Sequence, residues 1–168
     1  MKILVTESQY RKILREEKEQ KIFRIPSLKF FDEDLRYAWQ ILQKILERRG
    51  NPPYSIGGDL DLRNTLIESL GNLTSVGGFL DLRRTQVKSL GNLKSVGRDL
   101  NLYETPIESL GNLQSVGGDL DLLDTPIESL GNLTSVGGIL GLLGTPLSKM
   151  YTKEQIRQMV NVGGEIFM

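Results

Sequence analysis

A 20-residue repeat that begins at residue 55 constrains the fold of this 168-residue chain more than any other feature. Five copies follow one another without gaps over residues 55–152. Within a copy, leucines spaced two apart, such as Leu80 and Leu82, put both side chains on one face of a strand. Glycine pairs and Gly-Asn pairs between the apolar positions are typical of turns. One short strand and tight returning turns per copy predict a solenoid, whose stability belongs to the stack of coils.

The repeat resembles the leucine-rich-repeat family in the pattern L-x-L-x-x-T-x-I-x-x-L. In the second copy this pattern is carried by Leu80, Leu82, Thr85, Val87 and Leu90. The family usually has Asn or Cys where this chain has Thr, and that side chain bonds to backbone groups in the turn after the strand. A threonine hydroxyl serves the same purpose, although it has fewer donors than an asparagine amide. The resemblance implies a right-handed coil with one parallel sheet.

Two other solenoids compete with this interpretation. A pentapeptide-repeat helix has a coil of the same length, but its apolar positions recur every five residues, and those of this chain do not. A three-sided β-helix has two or three alternating strands per coil, whereas the sequence alternates in only one stretch. The pattern favours the leucine-rich solenoid.

The ends of the stack need covers, because bare end coils expose apolar surface and strand edges. We predict an N-terminal helical cap over residues 1–54, repeats over residues 55–152, and a C-terminal cap over residues 153–168. A helix from Asp32 to about Arg49 has apolar residues at helical spacing, and an earlier helix begins at Thr6. The fold class is therefore an α+β solenoid with helical caps.

The C-terminal residues predict a helix followed by a sixth strand. Thr152 and Gln155 form a capping-box pattern in front of an apolar helical stripe. Residues 162–168 then align with residues 116–122 of the fourth copy, so that Ile166 and Met168 take the two inward leucine positions. The helix replaces the usual turns of the coil.

The absence of cysteine and histidine excludes a thiolate nucleophile, a Ser-His-Asp triad and a zinc site of Cys and His. Some bacterial effectors with 20-residue leucine-rich repeats carry a ubiquitin ligase domain, but that catalysis needs a cysteine. The outward aspartates offer weak cation binding or an acid–base pair as alternatives, yet an open sheet supplies too few oxygens for calcium and no cleft for glycosidic chemistry. We expect a protein that is not an enzyme, with no cofactor and no metal site.

Charge and hydropathy limit the partners. Residues 1–50 carry a net charge of about +4 and the remainder about −4, which is too mild a split for a nucleic-acid groove. The apolar run Ile3-Leu4-Val5 is too short for a signal peptide or a membrane span. We therefore expect a cytoplasmic protein without a cleaved signal, no nucleic acid or membrane as partner, and a monomer unless the chain belongs to a larger assembly.

The outward positions of the strand vary between copies and carry the candidate site. They form an acidic band, a basic corner at Arg63, Arg83 and Arg84, and apolar positions in the last coils. Exposed apolar and aromatic groups beside arginine are typical of binding surfaces. The alternative is that the C-terminal helix or the chain itself covers the apolar residues. The predicted protein-binding residues are Phe79, Arg83, Arg84, Asp99, Tyr103, Glu104, Leu123, Ile139 and Leu143.

These observations predict a protein-binding module that uses the sheet face, concave in the leucine-rich-repeat family, for a protein partner of unknown identity. The alternative is a structural or assembly component of a phage-like particle that docks through its N-terminal helices. The opening MKILVTESQ resembles the N-termini of proteins from marine tailed bacteriophages, whose genomes also encode short threonine-type leucine-rich repeats. That resemblance implies a bacterial host cytoplasm.

Overall fold

The computed structural model describes residues 22–27 and 35–168. Over these residues the chain forms a solenoid of parallel β-strands arranged in two sheets, one of seven strands and one of six. Three helices, α1 (Leu35–Arg48), α2 (Leu147–Met150) and α3 (Lys153–Met159), accompany them. No helix within these residues has the length and apolar character needed to cross a membrane.

The strands are two to four residues long and are numbered in chain order. The first sheet contains β1 (Phe23–Ile25), β2 (Tyr54–Ile56), β4 (Leu73–Val76), β6 (Ser95–Val96), β8 (Ser115–Val116), β10 (Ser135–Val136) and β12 (Asn161–Val162), in that spatial order. The second sheet contains β3 (Leu60–Asp61), β5 (Leu80–Asp81), β7 (Leu100–Asn101), β9 (Leu120–Asp121), β11 (Leu140–Gly141) and β13 (Ile166–Phe167). Within the second sheet the register is offset by one repeat, as in the pairing of Leu80 with Leu100.

The prediction of one parallel sheet is wrong, because the residues just before each glycine corner form a second strand. In the third copy this extra strand is only Ser95–Val96, with an outward serine and a buried valine. Two residues contribute a single inward side chain, so no alternation was visible in the sequence. Each copy thus supplies two strands that meet at a glycine corner, which is closer to a β-helix than the sequence predicted.

The core lies between the two sheets and is filled by the inward leucines and valines. Leu80, Leu82, Leu100 and Leu102 are each fully buried. They belong to one hydrophobic cluster that runs through the stack and also includes Trp39 of α1. This continuity confirms the inward positions that the repeat pattern predicted.

The repeated threonines act within the turn that follows the second strand. Thr105 is buried, and its hydroxyl donates to the carbonyl oxygen of Leu102 at 2.7 Å. The hydroxyls of Thr65, Thr85, Thr125 and Thr145 make the equivalent bond at 2.6 to 2.8 Å. The structure confirms that threonine bonds the backbone of this turn.

We expect Thr105→Val to lower the free energy of unfolding by about 0.5–1.5 kcal/mol, because it removes one buried hydrogen bond and keeps the side-chain shape. The Leu102 carbonyl keeps its bond from the Thr105 backbone N–H at 3.1 Å. Urea unfolding followed by circular dichroism measures the loss. Thr65→Val is the matched control, since Thr65 is only half-buried and water can replace its hydroxyl. Equal losses at the two positions would contradict the role of burial.

The C-terminal prediction is confirmed in its strand and its capping box. The Thr152 side chain accepts from the Gln155 backbone N–H, and the Gln155 side chain accepts from the Thr152 backbone N–H. After α3, Ile166 pairs with Leu140 and is buried, while Met168 is half-buried against the core. The sixth strand therefore completes the second sheet.

Arg157 of α3 closes this last coil. Its guanidinium donates to the carbonyl oxygens of Val162 at 3.0 Å and Gly164 at 2.8 Å. These bonds hold the final glycine corner against the helix that replaces the usual turns. The sequence alignment predicted the strand but not this contact.

At the other end, α1 packs its apolar side chains into the same core. Ala38, Trp39, Leu42 and Leu46 are buried. The Tyr54 hydroxyl donates to the Leu70 carbonyl oxygen at 2.7 Å, and burial raises the pKa of this hydroxyl above its ordinary value. The helix is thus joined to the first coil, while its action as a cap stays a prediction.

The N-terminal part of the structure departs from the prediction in one further element. Phe23–Ile25 form β1, which pairs in parallel with Tyr54–Ile56 at the edge of the first sheet. The sequence analysis assigned no strand there. The helix predicted from Thr6, and Asp32 as the start of the second helix, lie outside the described residues.

Candidate protein-binding face

The outward side of the second sheet, with the turn that follows it, is called the outer face here. It consists of four rows of side chains that succeed one another along the stack. The strand register aligns one of them: Asp61 with Asp81, then Asn101, Asp121, Gly141 and Phe167. The neighbouring rows follow from the same register, one residue before the strand and two or three residues after its first leucine.

All nine predicted binding residues lie along the outer face with their side chains at least partly accessible. Phe79, Arg83, Tyr103 and Leu123 are half-buried. The exposed ones are Arg84, Asp99, Glu104, Ile139 and Leu143. Sequence periodicity therefore predicted the accessible side of this sheet, but the structure changes the meaning of its acidic residues.

The aspartates of the strand row bond to their own turn. The carboxylate of Asp81 accepts from the backbone N–H of Arg83 at 3.1 Å, and the Asn101 side chain accepts from Tyr103 at 3.0 Å. The same bond joins Asp61 to Arg63 and Asp121 to Leu123. Such turns are a common local use of Asp and Asn side chains. The acidic band is thus partly a device for holding the turn.

The aspartates in front of the strand bond to the next coil. Asp99 accepts from the backbone N–H of Asp119 at 2.9 Å, and Asp119 accepts from that of Ile139 at 2.7 Å. Asp59 accepts from Phe79 in the same way. Asp99, predicted as a binding residue, therefore has a structural partner. Among the described residues no group of three or more acidic, histidine or cysteine side chains is positioned to hold a metal ion.

This second bond explains why Arg98 replaces the corner glycine in one copy only. A Cβ at Gly118 would lie 2.0 Å from the Asp99 carboxylate of the preceding coil. The pairs Gly78 with Asp59 and Gly138 with Asp119 show the same conflict. Before Arg98 the corresponding residue is Phe79, which has no carboxylate at that place. Aspartate in one coil and glycine in the next are therefore a coupled choice.

Ion pairs concentrate at the N-terminal end of the outer face, which is called the arginine end. Arg83 binds Asp81 through both Nε and Nη2, the shorter contact being 2.6 Å. Arg63 lies 3.1 Å from the Asp61 carboxylate. Arg84 donates through Nε to Glu104 of the next coil at 2.5 Å.

The Arg84–Glu104 contact governs the titration of its neighbours. The hydrogen bond from Arg84 lowers the pKa of Glu104, and the hydrogen bond with Glu104 raises the pKa of Tyr103. The bond to Glu104 also raises the pKa of Arg84. These groups are solvent-exposed, so the pair orients side chains more than it stabilises the fold. The guanidinium of Arg84 lies 5.8 Å from the centre of the Tyr103 ring.

The same turn holds its residues in the left-handed backbone region. Arg84 has φ of 57° and Glu104 has φ of 53°. The equivalent positions in other copies are Asn64, Asp124 and Gly144, also with positive φ. Asn, Asp and Gly accept this conformation readily, whereas long side chains do so at a cost. The two residues that carry this cost are also the two that pair with each other.

The opposite end of the outer face is apolar. Ile139, Leu143 and Phe167 are 39%, 55% and 50% exposed. Leu123 extends toward Gly141, since a Cβ there would lie 2.5 Å from its Cδ1 atom. We call Leu123, Ile139, Leu143 and Phe167 the apolar end. Their exposure contradicts the alternative that α3 covers them.

Phe167 is the one residue of this surface that the sequence analysis missed. It pairs with Gly141 and continues the strand row of the outer face. The signal was available, because the alignment that predicted the sixth strand matches Phe167 with Asp121, an outward position. Attention to the inward Ile166 and Met168 passed over the residue between them.

The fold and this surface define a parallel β-solenoid with one patterned outward face. Comparisons with protein-family models, curated proteins and solved structures found no match to the chain.

Proposed function

We propose that this chain is a non-enzymatic protein-binding module and that the outer face binds its partner. The observation that carries the proposal is the apolar end, where large apolar side chains stand exposed on one sheet face. Exposed apolar clusters of this kind often mark interaction sites. Aromatic and arginine side chains, which are enriched among binding hot spots, lie on the same face at Tyr103 and Arg84.

The structural role of the aspartates narrows the proposal. Asp99 and Asp121 are engaged by backbone N–H groups, so their contribution to selectivity is secondary. Charge selectivity is then assigned to Arg83, Arg84 and Glu104, whose ends are accessible. Charged groups at the rim of an interface act mainly on selectivity and association rate.

The leucine-rich-repeat type remains part of the proposal. The inward leucines and the threonine bonds of the turn support it. The second sheet is a departure from the family pattern. Docking through the N-terminal helices, as in a phage-like assembly, is the competing function, and it is included in the test below.

We expect Leu123→Asp combined with Leu143→Asp to abolish partner binding, because charges are introduced at the centre of the apolar end. The measurement is affinity capture from the host lysate, with the captured protein reduced at least tenfold. The matched control is Leu66→Asp, the same change at a leucine that is 87% exposed but lies outside the outer face. Circular dichroism establishes that each variant is folded.

A partner that survives the double variant but is lost on charge reversal of Arg11, Lys12 and Arg15 would overturn the proposal in favour of assembly. A partner lost equally from the Leu66→Asp control would also overturn it, because the loss would then not depend on the apolar end.

A further inference from the structure

A concavity of about 270 Å³ lies at the arginine end of the outer face. Its lining residues are Arg63, Asn64, Arg83, Arg84 and Tyr103. They come from two consecutive strand-and-turn units and from the following strand, so the stacking of coils creates the concavity. Three guanidinium groups and one aromatic ring thus share a space large enough for a small anionic group.

The guanidinium groups are held in place without using all their donors. Arg84 binds Glu104 through Nε, which leaves both terminal amino groups without a carboxylate contact among the described residues. Arg83 binds Asp81 through Nε and Nη2, which leaves Nη1. A guanidinium has more N–H donors than one carboxylate edge engages, so a second acceptor can bind the other edge.

The backbone of this region supports a role beyond stability. Arg84 and Glu104 occupy left-handed conformations that Asn, Asp or Gly occupy in the other coils. Such strain is characteristic of sites where side-chain position serves binding. The Glu104 contact directs Arg84 toward Tyr103, so the cost is matched by a fixed guanidinium. Groups fixed before binding lose less entropy when a ligand arrives.

We propose that the arginine end binds a phosphate monoester carried by a side chain of the protein partner. The inference rests on the proposed function, since it names the group that this end of the outer face would take. A phosphate has three strong acceptor oxygens, which suits three guanidinium groups better than a carboxylate does. The ring of Tyr103 provides an apolar wall beside it. Because Asp61, Asp81 and Glu104 offset the arginine charge, binding is selective for geometry more than for charge.

The test titrates the full chain with phenyl phosphate and follows the backbone amide signals by NMR at constant ionic strength. We expect saturable shifts at Arg63, Arg83, Arg84 and Tyr103. Arg84→Gln should weaken binding at least tenfold, because it removes the guanidinium with the most open edge. Arg98→Gln is the matched control, since Arg98 is exposed but does not line the concavity, and it should leave the affinity unchanged.

Parallel titrations with inorganic phosphate and acetate distinguish the source of the anion. Acetate binding as tightly as phenyl phosphate would overturn the phosphate assignment, and inorganic phosphate binding as tightly would overturn the side-chain source. The absence of saturable shifts, or equal weakening by Arg84→Gln and Arg98→Gln, would overturn the site itself. If a partner is captured through the apolar end while phenyl phosphate does not bind, only this inference fails. If phenyl phosphate binds but the apolar double variant still captures the partner, only the proposed function fails.

Discussion

Leu100→Ala is expected to lower the free energy of unfolding by about 2–5 kcal/mol. The side chain is fully buried, and its strand lies between those of Leu80 and Leu120 in the second sheet. Removing it leaves a cavity that neighbouring coils cannot fill, because each is fixed in register by backbone hydrogen bonds. Urea unfolding followed by circular dichroism measures the change.

Leu143→Ala is the matched control for this prediction. Leu143 occupies an outward position of the same sheet and is half exposed, so the same truncation should change stability by no more than about 0.5 kcal/mol. If the two variants lost equal stability, the assignment of inward and outward positions would be wrong. If Leu143→Ala reduced partner capture while leaving stability intact, it would agree with the proposed function.

Gly117→Ala is expected to destabilise the chain by more than about 3 kcal/mol, beyond the usual range for overpacking. Its Cβ would lie 2.2 Å from the carbonyl oxygen of Gly97 and 2.8 Å from its carbonyl carbon. Both contacts are with backbone, so no side-chain movement relieves them. The coils must separate at the corner, which weakens the bond from Gly117 N–H to the Val96 carbonyl oxygen, now 2.9 Å.

Gly131→Ala separates this steric effect from the conformational cost of replacing glycine. Gly131 has φ of 56°, and a Cβ there would have its nearest neighbour, the Gly111 carbonyl oxygen, at 4.0 Å. Its loss should be limited to about 1–2 kcal/mol of left-handed backbone strain. Urea unfolding of the two variants under one set of conditions gives the comparison. A Gly131→Ala loss as large as that of Gly117→Ala would contradict the close contact of coils at the corner.

Much of the outer face was predictable from the repeat alone. Tyr103, Leu123 and Leu143 follow inward leucines at fixed offsets, and strand alternation turns them outward. The role of Asp99 was not predictable, because its partner is a backbone N–H twenty residues later that only stacking brings within 2.9 Å. The concavity at the arginine end was hidden for the same reason, since Arg63 and Arg84 meet only through the offset of adjacent coils.

The sequence by itself determined the period of the solenoid, its inward leucines, the threonine bond of the turn and the sixth strand. Each of these depends on local spacing or on comparison between copies of one unit, and both are visible in the order of residues. The second sheet, the pairing of β1 with β2 and the bonds of Asp99 were decided only by the tertiary structure. A two-residue strand has no periodicity of its own, and a hydrogen bond between coils exists only once the coils are stacked.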